Sequence, residues 1–213
     1  LLVVLHLGAL HEVGSNNPDG VEIKKGPKGN RWSPTAPTDG IPFHPYYTVK
    51  DMVGVGFLLT LAAFIIFFAP VFGGLFLEHD NFTEANRLVT PEHIKPVWYY
   101  TPYYAMLRVI PDKLGGVIVM GGAIVILFFV PWLDRAKVKS YRYRGLLSKV
   151  LLGVFAISFV WLGVIGSGPG TAIWETWVGR VLTFLYFGFF ITMPLWTKID
   201  STKQVPDRVT THD

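Results

Sequence analysis

The chain contains no cysteine and is short of charge. Without thiols it can hold no disulfide framework, no thiolate-bound iron–sulfur cluster and no covalently attached c-type haem. A redox group carried here would need histidine or methionine, or a partner chain. Charged residues make up 16% of the sequence, against about 25% in a soluble domain. Hydrophobic residues reach 51%, and together these figures point to lipid as the solvent for much of the chain. The net charge of +4 does not indicate nucleic acid, because the basic residues lie between apolar runs, as membrane topology requires.

What is present is a set of long apolar stretches. Four are long enough for the roughly 20 residues that a helix needs to cross a bilayer: Met52 to Phe72, Leu114 to Leu133, Leu147 to Gly166 and Val178 to Trp196. They are continuous rather than alternating, which favours helices over a barrel. The opening segment, Leu1 to Leu10, reads as the end of a fifth helix, so the sequence is expected to belong to a longer chain. It lacks the basic region and cleavage site of a signal peptide. The fold expected is all-α and integral to the membrane: the end of one transmembrane helix plus four full ones. The divisions are residues 1–10, a connection 11–51, a helix 52–72, a connection 73–113, three helices within 114–198 and a tail 199–213.

Charge sets an orientation. The first connection holds Lys24, Lys25, Lys28, Arg31 and Lys50; the one after the second span holds Arg135, Lys137, Lys139, Arg142 and Arg144; the tail holds Lys198, Lys203 and Arg208. The connection Ser167 to Thr176 has no Lys or Arg. The positive-inside rule places the first three on the negative side. The connection 73–113 then faces the positive side, although it carries Arg87, Lys95, Arg108 and Lys113. It is punctuated by Pro91, Pro96, Pro102 and Pro111 and rich in aromatics from Trp98 to Tyr104, and a connection so long is often functional. Gly115, Gly116, Gly121 and Gly122 suit close helix packing.

His6 lies within an apolar helix end, where a histidine is costly unless paired or bound. It is either an axial haem ligand or a hydrogen-bonded packing residue. His11 follows five residues later, about 140° around a helix, so the two rings face different surroundings. Gly14 to Pro18 is a turn by composition. Lys50 and Asp51 open the first full span on the same side as His11. They could bind a polar head group and deliver protons, or simply anchor the helix and favour its dipole.

At three places the residues resemble cytochrome b. His6-Leu7-Gly8-Ala9-Leu10-His11-Glu12-Val13-Gly14-Ser15-Asn16-Asn17-Pro18 resembles the close of that family's fourth helix, and Phe43 to Asp51 the entry to the fifth. Pro96-Val97-Trp98-Tyr99, then Tyr104 to Arg108 and Pro111 to Val117, resembles the quinol-oxidation segment and the start of the sixth helix. The resemblance runs through nearly the whole chain. It implies that His6 ligates the iron of the high-potential b haem, and that the ligands of the low-potential haem lie outside this chain. It implies a quinone-reduction site at His11, Ser15, Lys50 and Asp51, with Asn16 nearby, and a quinol-oxidation site including Trp98, Tyr99 and Tyr104. The substrates implied are ubiquinol and ubiquinone. The partners implied are a Rieske iron–sulfur protein, a membrane-anchored c-type cytochrome, a second copy of the chain and membrane lipid. The expected location is a bacterial inner membrane rather than a mitochondrial one.

One position departs from the family. Val97 stands where a proton-accepting Glu is common, and valine transfers no proton. Glu92, with His93 beside it, is the first candidate to replace it, and Asp112 the second. Two other classes of function compete. A transporter would need repeat symmetry or broken helices facing each other at mid-membrane, and neither is visible. A non-catalytic membrane anchor would have no need for His6. The split form of the family would begin after the haem ligands, whereas this chain still holds His6.

Overall fold

The computed structural model describes residues 1–14, 16–21, 43–90 and 94–207. Among these residues every regular element is a helix, and the only β pairing is an isolated antiparallel bridge between Arg144 and Thr202. Helix α1 spans Leu2–Val13 and closes on Gly14, whose φ of 79° lets its N–H reach Leu10 O at 2.7 Å. This is a backbone shape that glycine adopts without cost. Helix α2 spans Thr48–Phe68. It begins about four residues before its apolar run, and it ends about four residues before the run does because Pro70 has no N–H to give and its ring crowds the preceding turn. The last rung is Ala69 N–H to Ile65 O at 3.1 Å.

Helix α3 is Thr101–Val109, with Pro102 in its first turn, where a missing N–H costs nothing. Helix α4, Lys113–Val125, starts at Asp112, whose carboxylate accepts from Gly115 N–H at 2.5 Å as an N-cap. It runs through a tightened turn, Ile126–Phe129, into α5, Val130–Leu133. Pro131 in α5 removes one ladder bond and accounts for the tightening. Helix α6 is Leu146–Ser167 and α7 is Ile173–Ile191. After Thr192 the chain bends by 60° into α8, Met193–Ile199. Thr192 Oγ1 bonds back to Gly188 O at 2.6 Å and Pro194 offers no N–H, two features that break a helix.

Three helical stretches are long and apolar enough to cross a membrane: Phe43–Phe68, Lys113–Leu133 and Leu146–Ser167. The bent pair α7–α8 makes up to four. The fourth span, read in the sequence as the apolar run Val178 to Trp196, is bent at Thr192. It is the only bent pair of this kind among the described residues.

The chain divides into two units. The larger comprises Phe57–Arg135 and Leu146–Ile199. Its core is α3 packed on α6, α4 and α7. Small residues allow the approach. A Cβ at Gly166 would strike Thr101 O, one at Gly116 would strike Leu107 O, and one at Gly179 would come within 2.6 Å of Val109 Cγ1. Rings of Phe155, Phe159, Tyr186, Phe189 and Phe190 fill the space between α6 and α7, with Phe155 and Phe189 stacked at 4.7 Å. The buried Tyr186 hydroxyl donates to Ala123 O at 2.8 Å, so no polar atom is left stranded there.

The smaller unit comprises Leu1–Gly56, Ala136–Gly145 and Asp200–Asp213. Its described tail lies along the 136–145 connection. Lys203 N–H donates to Tyr143 O at 2.8 Å and Gly145 N–H donates to the Asp200 carboxylate at 2.9 Å.

Candidate functional site

The residues singled out in the sequence fall into two groups, one in each unit. In the smaller unit, His6 and His11 share the continuous helix α1, so their rings diverge as five helical positions require. His11 Nδ1 lies 2.8 Å from Leu7 O. A carbonyl only accepts, so Nδ1 is the donor in this contact and Nε2 is left for another partner. Asn16 is exposed just beyond the helix, and Ser15 lies outside the described residues. Lys50 and Asp51 are exposed in the first turn of α2, with Lys50 Nζ 5.8 Å from the Tyr47 ring centroid. Among the described residues no hydrogen bond or ion pair joins His11 to Lys50 or Asp51.

Among the described residues no group of three or more His, Cys, Asp or Glu could hold a metal ion. A lone imidazole suits a haem, whose macrocycle supplies the other donors. Helix α1 is apolar on both sides of His6, from Leu2 to Leu5 and from Leu7 to Leu10, so the residues fit the group.

In the larger unit, Val97 precedes a turn at Trp98–Tyr100 that leads into α3. Trp98 and Tyr99 are 56% and 61% exposed and meet edge to face at 5.5 Å. Thr101 Oγ1 donates to Trp98 O at 2.6 Å and fixes the turn. Tyr104 Oη donates to Ile94 O at 3.3 Å. Tyr104 also lines a cavity of about 290 Å³ with Lys95, Arg108, Ser167, Gly168 and Pro169. Asp112 is engaged as the cap of α4, which leaves it poorly suited to replace the carboxylate missing at Val97. Glu92 and His93 lie outside the described residues.

Sequence reasoning overlooked Arg108 as a site residue. Its Nη2 donates to Ile165 O at 2.6 Å and its Nη1 to Gly168 O at 2.8 Å, while the guanidinium sits 5.6 Å from the Tyr104 ring centroid. It thereby gives a donor to Gly168 O and a second one to Ile165 O, which also accepts from Gly168 N–H at 3.2 Å. Gly170, at φ 71°, makes room for the guanidinium, which any Cβ there would strike. Lys95 pairs with Glu78 at 3.4 Å. An arginine inside an aromatic, apolar segment was the available signal.

Fold and site together define an α-helical membrane protein with an imidazole on an apolar helix and a cavity walled by α3 and the turn after α6. Comparison with known proteins narrows this class. A family profile described as cytochrome b (C-terminal)/b6/petD matches residues 84–187. Cytochrome b of Allochromatium vinosum is 56% identical over 213 residues, covering 98% of this chain and 51% of that one. Cytochrome b/c1 of Bradyrhizobium diazoefficiens is 45% identical, covering 98% of this chain and 28% of its own length. Among solved structures, a hyperthermophilic respiratory complex III chain superposes with a TM-score of 0.77 at 34% identity, covering 93% of this chain and 47% of that chain. The chain belongs to the cytochrome b family, and it spans about half the length of the cytochrome b relatives it matches.

Proposed function

We propose that the chain forms the C-terminal half of the cytochrome b subunit of a respiratory quinol–cytochrome c oxidoreductase in a bacterial inner membrane. The observation that carries this reading is the 56% identity to a cytochrome b over 98% of the chain. Its partners in that complex are a Rieske iron–sulfur protein, a membrane-anchored c-type cytochrome and a second copy of cytochrome b. Ubiquinol and ubiquinone are its substrates.

His6 would hold the high-potential b haem, whose other ligand and both ligands of the low-potential haem would come from outside these residues. The bound haems supply one-electron transfer, which the protein's own side chains cannot. Reduction of a quinone to quinol takes two electrons and two protons. His11 offers Nε2 toward that site, with Leu7 O holding the other nitrogen. Asp51 and Lys50 relay protons from water, and Ser15 and Asn16 bind the quinone carbonyl. At the other site, Trp98 and Tyr99 pack on quinol and Tyr104 bonds its hydroxyl. Val97 takes no proton there, so the acceptor is a neighbouring carboxylate, Glu92 first.

The test is a dithionite-reduced minus ascorbate-reduced spectrum of the purified complex, with a redox titration. Two b-type components that titrate separately are expected. A His6→Leu complex should lose the higher-potential component and keep the lower. Absence of b-type absorbance in the native complex would overturn the assignment.

A further inference from the structure

Asp19 is the most deeply buried carboxylate among the described residues of the smaller unit, 1% exposed. Its Oδ1 accepts from Arg142 Nη1 and from Tyr143 Oη, each at 2.7 Å. Both partners lie more than a hundred residues away, on the 136–145 connection. The same junction is closed twice more. Ser140 Oγ donates to Pro18 O at 2.6 Å. Gly20, at φ 70°, brings its backbone so near that a Cβ would fall 2.9 Å from Ser140 N. Asn17 brackets the turn internally, donating from Nδ2 to Val21 O at 2.7 Å and accepting from Val21 N–H at 3.0 Å. The connection is itself braced by the tail, through Lys203 to Tyr143 and Asp200 to Gly145.

A buried carboxylate is costly to keep unless charged partners meet it. Here the partners hold a short turn in place. The segment from Gly14 to Asp19 is fixed at one end by the cap of α1 and at the other by Asp19, with Asn16 between them. Side chains that must meet a substrate gain from being held before it arrives. We propose that Asp19, through Arg142 and Tyr143, is a positioning residue for the quinone-reduction site, setting the turn that carries Asn16. This inference rests on the proposed function of that turn. Asp19 does not touch the quinone; it acts through the backbone between it and Asn16.

The test uses the whole purified complex and follows reoxidation of the high-potential b haem against quinone concentration. Asp19→Ala should raise the KM for quinone by about tenfold, the scale on which small misplacements act. The rate at saturating quinone, the haem spectrum and first-turnover quinol oxidation should stay as in the native complex. Hydrogen exchange of the amides of residues 16–21 should speed up in the same variant. Tyr143→Phe removes one of the two bonds with little disturbance. It should give a smaller rise in KM, and it serves as the test if Asp19→Ala does not assemble. Faster exchange or a lower melting temperature with an unchanged KM would reduce Asp19 to a structural residue and overturn the inference. A native complex that does not reduce quinone would instead overturn the reading of the site, and this inference with it.

Discussion

Gly166 and Asp19 both hold distant parts of the chain together, one in the larger unit and one in the smaller. Gly166 does so by having nothing to offer: the missing Cβ lets the α3 backbone at Thr101 lie directly on α6. Asp19 does so by offering charge, drawing a guanidinium and a phenol onto a buried carboxylate. The difference follows from the solvent. Lipid tails are as apolar as leucine, so apolar side chains gain little by leaving them for each other, and helices associate by close packing. At a watery edge a turn of Asn, Pro and Asp has no apolar surface to bury, and charge-assisted hydrogen bonds are what remain to fix it.

This contrast can be broken by substitution. The largest effect is expected at Gly166→Ala, where the new methyl meets a backbone carbonyl that cannot swing aside. The cost should be about 3 kcal/mol, the upper part of the range for overpacking, read as a fall in the melting temperature of the complex. Gly153→Ala is the control, since nothing lies within 4 Å of its Cβ position. It should be neutral or stabilise by up to about 1 kcal/mol through helix propensity. Equal effects at the two sites would end the claim that contact, rather than glycine content, holds the bundle.

Arg108→Leu should rank next. It removes the donor from Gly168 O and one of the two donors from Ile165 O, which keeps Gly168 N–H, at about 2 kcal/mol, the scale of hydrogen bonds from a charged group. It also removes a wall of the cavity beside Tyr104. Quinol oxidation should slow while haem content is kept. An unchanged rate would show that the cavity is not where quinol reacts.

The smallest effect sharpens the other side of the contrast. The hydrogen bond to Asp19 raises the Tyr143 pKa above its ordinary 10.0, with burial and the Asp19 charge adding to it and Arg142 opposing. A raised phenol pKa means that the folded state keeps its proton longer than the unfolded chain. The contribution is therefore complete below pH 10 and fades as pH climbs from there through the raised value. The phenolate absorbance of the native complex, less that of Tyr143→Phe, should appear above pH 10, and Asp19→Asn should move it back toward 10.0.

Much of the larger unit was legible in the sequence because its helices are uninterrupted apolar runs. Lys113–Leu133 and Leu146–Ser167 fall within a residue of the expected bounds. Where the reading slipped, proline chemistry was the reason. Pro70 ends α2 before the apolar run is over, and Pro194 with Thr192 bends a span that hydropathy alone draws straight. Of the site, the position of His6 on its helix and the aromatic turn at Trp98 were readable from local pattern. The bonds of Arg108 to residues 57 and 60 positions away, and of Asp19 to residues 123 and 124 away, were not. Local composition carries no trace of a partner that the fold supplies from so far along the chain.

The bend at Thr192 also sets a length. Helix α7 has 19 residues before it, a rise of about 28 Å, close to the roughly 30 Å of a bilayer's hydrocarbon core. Helix α8 adds seven more residues. Kept straight, the pair would overshoot the core, and the surplus would have to be absorbed by tilt or by a thicker membrane. Folding over by 60° lets α8 turn aside where the tails end, with Lys198 exposed near its end. The Thr–Met–Pro sequence thus caps the straight part of the span at the 19 residues of α7, about 28 Å, a length that α7 and α8 in one line would exceed.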